Sequence, residues 1–214
     1  MSQLTVNQHV DDGHHHHLTP EQIQQSATNQ KFAMWLLIAS ETVIFSIMIA
    51  GYILFRINEP EVVKGVHHAL GLSGILLVTF NSFILLTSSW AMVMGLRENQ
   101  RGNRAGFIRW FWLVAILGVV FLSIQYYEYY RLAQEGVTLN YTQTEFGGFG
   151  MNFYAPTAFH GAHVIIGVIW CLEVLRRAYK GRYDQSSAGI EVFGLYWHFV
   201  DVVWVLLFTL IYLV

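Results

Sequence analysis

Five runs of roughly 20 or more mainly apolar residues constrain this chain more than any other feature: Phe32–Phe55, Ala69–Leu96, Trp110–Tyr130, Phe153–Leu175 and Val192–Val214. A helix needs about 20 such residues to cross the hydrocarbon core of a bilayer. Only helices and closed barrels satisfy their backbone polar groups there. The expected fold is therefore all-α, an integral membrane bundle of five transmembrane helices over residues 31–214 behind a polar tail over 1–30. Charged residues make up 12% of the chain, well below the roughly one quarter usual in soluble proteins, and no basic face suggests nucleic acid. The single Cys171 excludes an internal disulfide and reads as a small buried hydrophobe.

The tail has no apolar core and is not a cleavable signal peptide. His14, His15, His16 and His17 stand in a row within it; a solvated tract or cloning remnant is the better reading than a metal site. Thr19-Pro20-Glu21 has the form of a helix start, threonine as cap and proline at the first position, and suggests a short surface helix. Asn58-Glu59-Pro60 should break the first span and open a short loop. The second span has no charge but carries Gly71, Gly74, Thr79, Asn81, Ser82, Thr87, Ser88 and Ser89, residues suited to close helix contact and interhelical hydrogen bonds. Phe146-Gly147-Gly148-Phe149-Gly150 lacks the lysine of a phosphate loop and reads as a flexible turn.

Basic residues set an expected orientation. Lys31, Arg97, Arg101, Arg104, Arg109, Arg176, Arg177, Lys180 and Arg182 fall on one side of the five spans, against Arg56, Lys64 and Arg131 on the other. Positive charge favours the cytoplasmic side, so the N-terminus is expected inside and the C-terminus outside.

Ionisable residues within the spans are candidates for function, because burying them is costly. They are Glu41 in the first span, His160 and His163 in the fourth, and His198 and Asp201 in the fifth. Gln125 and Glu128 end the third span among tyrosines that mark the water interface, where Glu128 has even claims to be a solvated rim residue. At 1.5 Å per residue, Glu41 and Asp201 lie ~14 Å from the inner surface and His198 ~9 Å. By the same rise, His160 and His163 lie ~10 and ~15 Å from the outer surface. This bookkeeping suggests one layer shared by Glu41, His198 and Asp201; the plainer reading is a set of satisfied pairs that hold helices together.

Two other functions fit such residues. A bis-histidine b-type haem could use His160 or His163 with His198, but His163 and His198 differ by ~6 Å in height, which is poor for one haem plane. No Cys-x-x-Cys-His or histidine–cysteine cluster is present. A proton-coupled transporter around Glu41 and Asp201 would be expected to show broken, paired helices.

Phe159-His160-Gly161-Ala162-His163-Val164-Ile165-Ile166-Gly167 followed by Tyr196-Trp197-His198-Phe199-Val200-Asp201-Val202-Val203-Trp204 resembles subunit III of the haem–copper respiratory oxidases. Ala39-Ser40-Glu41, Asn81 with Leu85-Leu86 and Ser88-Ser89, and Gln125 with Glu128-Tyr129 match that family in the same order, so the resemblance covers about Met34 to Tyr212. It implies an accessory subunit of a proton-pumping terminal oxidase that reduces oxygen to water with cytochrome c or quinol as donor. The chain itself would hold no catalytic centre, metal or haem. Haems and copper would sit in partner subunits, with subunit I, subunit II and a small subunit IV as neighbours in a bacterial plasma membrane. The resemblance further implies bound phospholipid, with Glu41 and Arg176 as lipid contacts, support of proton uptake, and protection of the complex during turnover. Glu41, His160, His163, His198, Asp201, Gln125 and Glu128 match the family's buried polar set. Longer members carry two more helices ahead of the glutamate, which form one wall of a lipid cleft; the short five-helix type is typical of bacteria.

Overall fold

The computed structural model describes residues 19–137, 148–183 and 187–213. The His14–His17 tract lies outside them. Five long helices account for nearly all of this: α1 (Pro20–Asn58), α2 (Pro60–Gln100), α3 (Arg104–Gln134), α4 (Phe149–Tyr179) and α5 (Ala188–Phe208), with a π-helical turn over Thr209–Leu213. All five are long and apolar enough to span a membrane.

Each helix outruns its apolar run, and the ends explain why. Thr19 caps α1 by accepting from the Gln22 amide while the Gln22 side chain accepts from the Thr19 amide, a reciprocal capping box that satisfies two otherwise orphaned donors. Nothing between Pro20 and Phe32 breaks a helix, so the expected short surface helix is the first three turns of α1. Pro60 stops α1, because it cannot donate to the preceding turn, but it also starts α2 directly. Glu59 alone joins the two, where a loop was expected.

Gly71 is not a packing glycine. Its backbone adopts φ 60° and ψ 176° and kinks α2, and a Cβ there would meet nothing within 4 Å. The residue is needed for its conformation, which an L side chain rarely adopts. The kink falls where the apolar run begins, dividing α2 into a short leading arm and the span. Gly148 and Phe149 likewise replace the expected flexible turn: Gly148 precedes α4, and Phe149 and Gly150 are buried in its first turn. Phe146 and Gly147 lie outside the described residues.

Helices α2, α3, α4 and α5 form a four-membered ring in which each packs on its neighbours, and α1 lies across α4 and α5 while touching α2 only lightly. The seam between α2 and α5 is stitched by side chains. The Trp197 indole donates to Ser88 Oγ at 3.0 Å, and Trp204 to Ser82 Oγ at 2.9 Å. Each serine meanwhile donates to its own helix, Ser88 to Leu85 O and Ser82 to Val78 O. Such a serine uses both its donor and an acceptor lone pair, leaving no polar atom for lipid to meet. Trp197 is seated between α3 and α4, where a Cβ on Gly118 would lie 3.2 Å from its ring and one on Gly167 only 2.6 Å.

Candidate functional site: polar layers of the bundle

The sequence-predicted polar residues fall into separate sets. The first joins α1 to α4. Glu41 Oε2 lies 3.4 Å from His163 Nε2, with both side chains largely buried. His163 Nδ1 lies 2.8 Å from the carbonyl of Phe159. A carbonyl can only accept, so Nδ1 carries a hydrogen, and Nε2 is protonated only in the imidazolium form. Glu41 and His163 face each other across 3.4 Å, and Glu41 Oε2 has no hydrogen-bond partner among the described residues. Phe45 and Phe159 wall the pair, with ring centres 5.4 and 4.7 Å from the imidazole, and Tyr196 donates to the His163 carbonyl at 3.0 Å.

Glu41 thus pairs with His163, not with His198 or Asp201 as the shared layer required. The depths allow this. At ~14 Å from one surface and ~15 Å from the other, Glu41 and His163 meet near the middle of a hydrocarbon core about 30 Å thick. Measuring only the inner approach hid the match.

The second set lies between α5 and α2. His198 Nδ1 is 2.6 Å from Ser89 Oγ and 3.9 Å from Asp201 Oδ2. Asp201 is buried, and neither of its carboxylate oxygens has a hydrogen-bond partner among the described residues. The serine and the aspartate both face Nδ1, so this is not the relay of a serine hydrolase, in which they occupy opposite ring nitrogens. A groove of about 340 Å³ lies beside His198, lined also by Lys31, Trp35, Met92, Val93 and Glu191. At its mouth Lys31 Nζ meets Glu191 Oε2 at 2.5 Å, tying α1 to α5.

A third set occupies the end of the bundle opposite the arginine-rich loops. Gln125 donates to Glu128 at 3.0 Å within α3. Glu128 is 3% exposed, so it is an interior residue and not part of a solvated rim. Tyr212 of the π-turn faces it, and Tyr129 packs edge-on against Tyr154 of α4. His160, one turn away on α4, is completely enclosed; its ring stacks on Trp204 at 4.9 Å and meets the edge of Phe121 at 5.9 Å. Neither ring nitrogen is hydrogen-bonded among the described residues. Cys171 is buried, as its position in the fourth run suggested.

Arg176, expected at lipid, is exposed and chelates Glu173 through two bonds of 2.6 and 2.7 Å, with Arg177 on the same carboxylate. Two contacts gave no signal in the sequence. Tyr52 and Arg56 of α1 reach the carbonyls of Ile211 and Leu210 at 3.4 and 3.2 Å. Helix ends leave such carbonyls unpaired, and a cation there is favourable. A lone arginine near the end of an apolar run was the only available hint.

These polar layers coincide with the sequence motifs, and the match to known proteins follows them. The model of the family described as cytochrome c oxidase subunit III matches residues 8–214. The chain belongs to that family. It is therefore one part of a terminal oxidase complex. It is similar to cytochrome c oxidase subunit 3 of Synechocystis sp., with 36% identity over 94% of this chain and 80% of the relative. Those of Alkalihalophilus pseudofirmus and Bacillus subtilis are each 30% identical, over 91% of both chains. Among its ionisable groups Glu41 faces His163, whereas His160 and the Asp201 carboxylate have no hydrogen-bond partner among the described residues.

Proposed function

We propose that this chain is the accessory subunit III of a bacterial, proton-pumping haem–copper oxidase that takes electrons from cytochrome c. The match along residues 8–214 to the subunit III family carries the reading, and the relatives' names favour cytochrome c over quinol as donor. The haems and copper belong to a catalytic subunit I, with subunit II and a small subunit IV as further neighbours. This chain holds no redox centre. The N-terminus faces the cytoplasm, and the chain lies in the plasma membrane with its arginine-rich loops inside.

In this reading Glu41 and His163 form a mid-membrane polar contact between α1 and α4. The pair anchors α1 on α4 and keeps phospholipid ordered along the exposed flank of α1, which supports proton uptake and durable turnover in the catalytic subunit. Arg176 serves lipid head groups only if the Glu173 contact opens, so Glu41 is the stronger of the two lipid candidates. His198, Asp201, Gln125, Glu128 and His160 order the bundle.

Purification of the tagged chain from membranes tests the reading. A haem–copper subunit should come with it, and the reduced-minus-oxidised spectrum should belong to that partner. Recovery without haem protein would refute the assignment. An alpha band in the isolated chain that disappears in His198→Ala would favour the b-type cytochrome, and substrate flux by the chain alone in liposomes would favour a transporter.

A further inference from the structure

We infer that the groove between α1, α2 and α5 is the seat of a transmembrane helix from a neighbouring oxidase subunit, one that fills it with a bulky apolar side chain and offers a hydrogen-bonding side chain to His198. This rests on the reading of the chain as one subunit of an oxidase, and names the face by which it docks.

The argument starts from an exposed polar atom at the wrong depth. The His198 side chain is 41% exposed, and it lies seven residues along α5 from Glu191, about 10 Å deeper into the membrane. Its Nδ1 faces Ser89 at 2.6 Å, and the Asp201 carboxylate lies on the same side, within reach of both Ser89 and Nδ1. Ser89 and Asp201 both occupy the Nδ1 side, so Nε2 is the ring nitrogen turned away from them, a polar atom in either tautomer. No described residue bonds Nε2. A polar group open to hydrocarbon is costly, so something other than an acyl chain belongs there.

Depth separates the candidates. A lipid can offer hydrogen-bonding atoms only at its head group, which belongs at the level of Lys31 and Glu191, where those two residues already bond each other at 2.5 Å. Its tail at the level of His198 is hydrocarbon. A protein helix, by contrast, carries hydrogen-bonding side chains at any depth, and polar contacts between helices are a regular part of membrane packing. The groove has the matching shape: about 340 Å³ between Trp35 of α1 and Val93 of α2, both of them exposed. It persists because α1 leans on α4 and α5 and barely touches α2. Met92 closes its floor by packing on Gly194. The other exposed hydroxyls of α1 do not compete, since Ser40, Thr42 and Ser46 each donate to their own helix.

The test uses the whole oxidase in native membranes. Val93 in the groove, or Ile165 on the exposed flank of α4, is replaced by the photo-crosslinker p-benzoyl-phenylalanine, and adducts are identified by mass spectrometry. Position 93 should give a covalent adduct with another oxidase subunit, at least tenfold above position 165. Lipid adducts alone at position 93, no adduct there, or equal protein adducts at both positions would overturn the inference, even where the oxidase co-purifies and the reading it rests on stands. In parallel, His198→Leu should weaken retention of the chain during detergent purification roughly three- to fifteenfold, the range of one interhelical hydrogen bond. His198→Gln, which keeps a donor, should restore most of it. Equal retention of the leucine and glutamine variants would show that Nε2 has no partner.

Discussion

Gly167→Ala should destabilise the bundle although alanine is the better helix former. A Cβ at position 167 would lie 2.6 and 2.8 Å from Cζ3 and Cε3 of Trp197, and 3.3 Å from the Tyr196 ring. The indole has little room to retreat, because its nitrogen is bonded to Ser88 at 3.0 Å and the ring is completely buried. Added volume in a closed core costs about 1–3 kcal/mol, while replacing a helical glycine with alanine returns up to about 1 kcal/mol. The net expectation is a loss of roughly 1–2 kcal/mol, a five- to thirtyfold fall in the folded-to-unfolded ratio. Reversible unfolding of the purified chain in mixed micelles measures it. Gly161→Ala is the control, since nothing lies within 4 Å of a Cβ there, and it should be neutral or slightly stabilising. Trp197→Phe should relieve the clash, so the double variant should be more stable than the two single losses predict. Equal stability of Gly167→Ala and Gly161→Ala would refute the packing argument.

Four further outcomes are expected. Ser82→Ala should cost about 1–2 kcal/mol in the same assay by leaving the Trp204 indole hydrogen buried and unpaired, whereas Trp204→Phe in that background should recover part of it. Gly71→Ala should cost about 1–3 kcal/mol through backbone strain alone, since φ 60° with ψ 176° is a region essentially confined to glycine; an unstrained alanine variant would show that the kink is not required. Lys31→Ala removes a partly exposed ion pair and should lower stability by less than about 1 kcal/mol, with the effect shrinking at high salt. In the intact oxidase Glu41→Ala should leave haem content unchanged but shorten the number of turnovers before inactivation or reduce co-purified phospholipid, and wild-type behaviour in both respects would remove its proposed role.

The five helices were legible because each rests on a local property, a long apolar run between polar ends. The cap at Thr19 and the break at Pro60 were legible for the same reason. Contacts between helices were less so. Ser82, Ser88 and Ser89 announced hydrogen bonding but not the tryptophans and histidine that would use them, since their partners become specific only once α2 lies beside α5. Gly71 and Gly167 are the same letter in an apolar run, yet one supplies a positive φ and the other space for an indole. Glu41 was matched to the wrong partner because rise per residue gives height and says nothing of which helix stands opposite. Glu128 was left evenly balanced between rim and interior because the tyrosines around it suggested the water interface, while its own side chain is buried.

The caps that Tyr52 and Arg56 place on the carbonyls of Ile211 and Leu210 join positions 159 and 154 residues apart. Side chains of α1 therefore satisfy a segment made more than 150 residues later. Until α4 and α5 arrive, α1 has little to hold besides its direct connection to α2, which it barely touches, and such long-range closure is slow to form. Synthesis of this chain thus passes through a stage in which an inserted helix waits, largely unassembled, for α4 and α5. A nascent chain halted before Phe149 would leave α1 open to chaperone or protease, because both of the helices it packs on would still be missing.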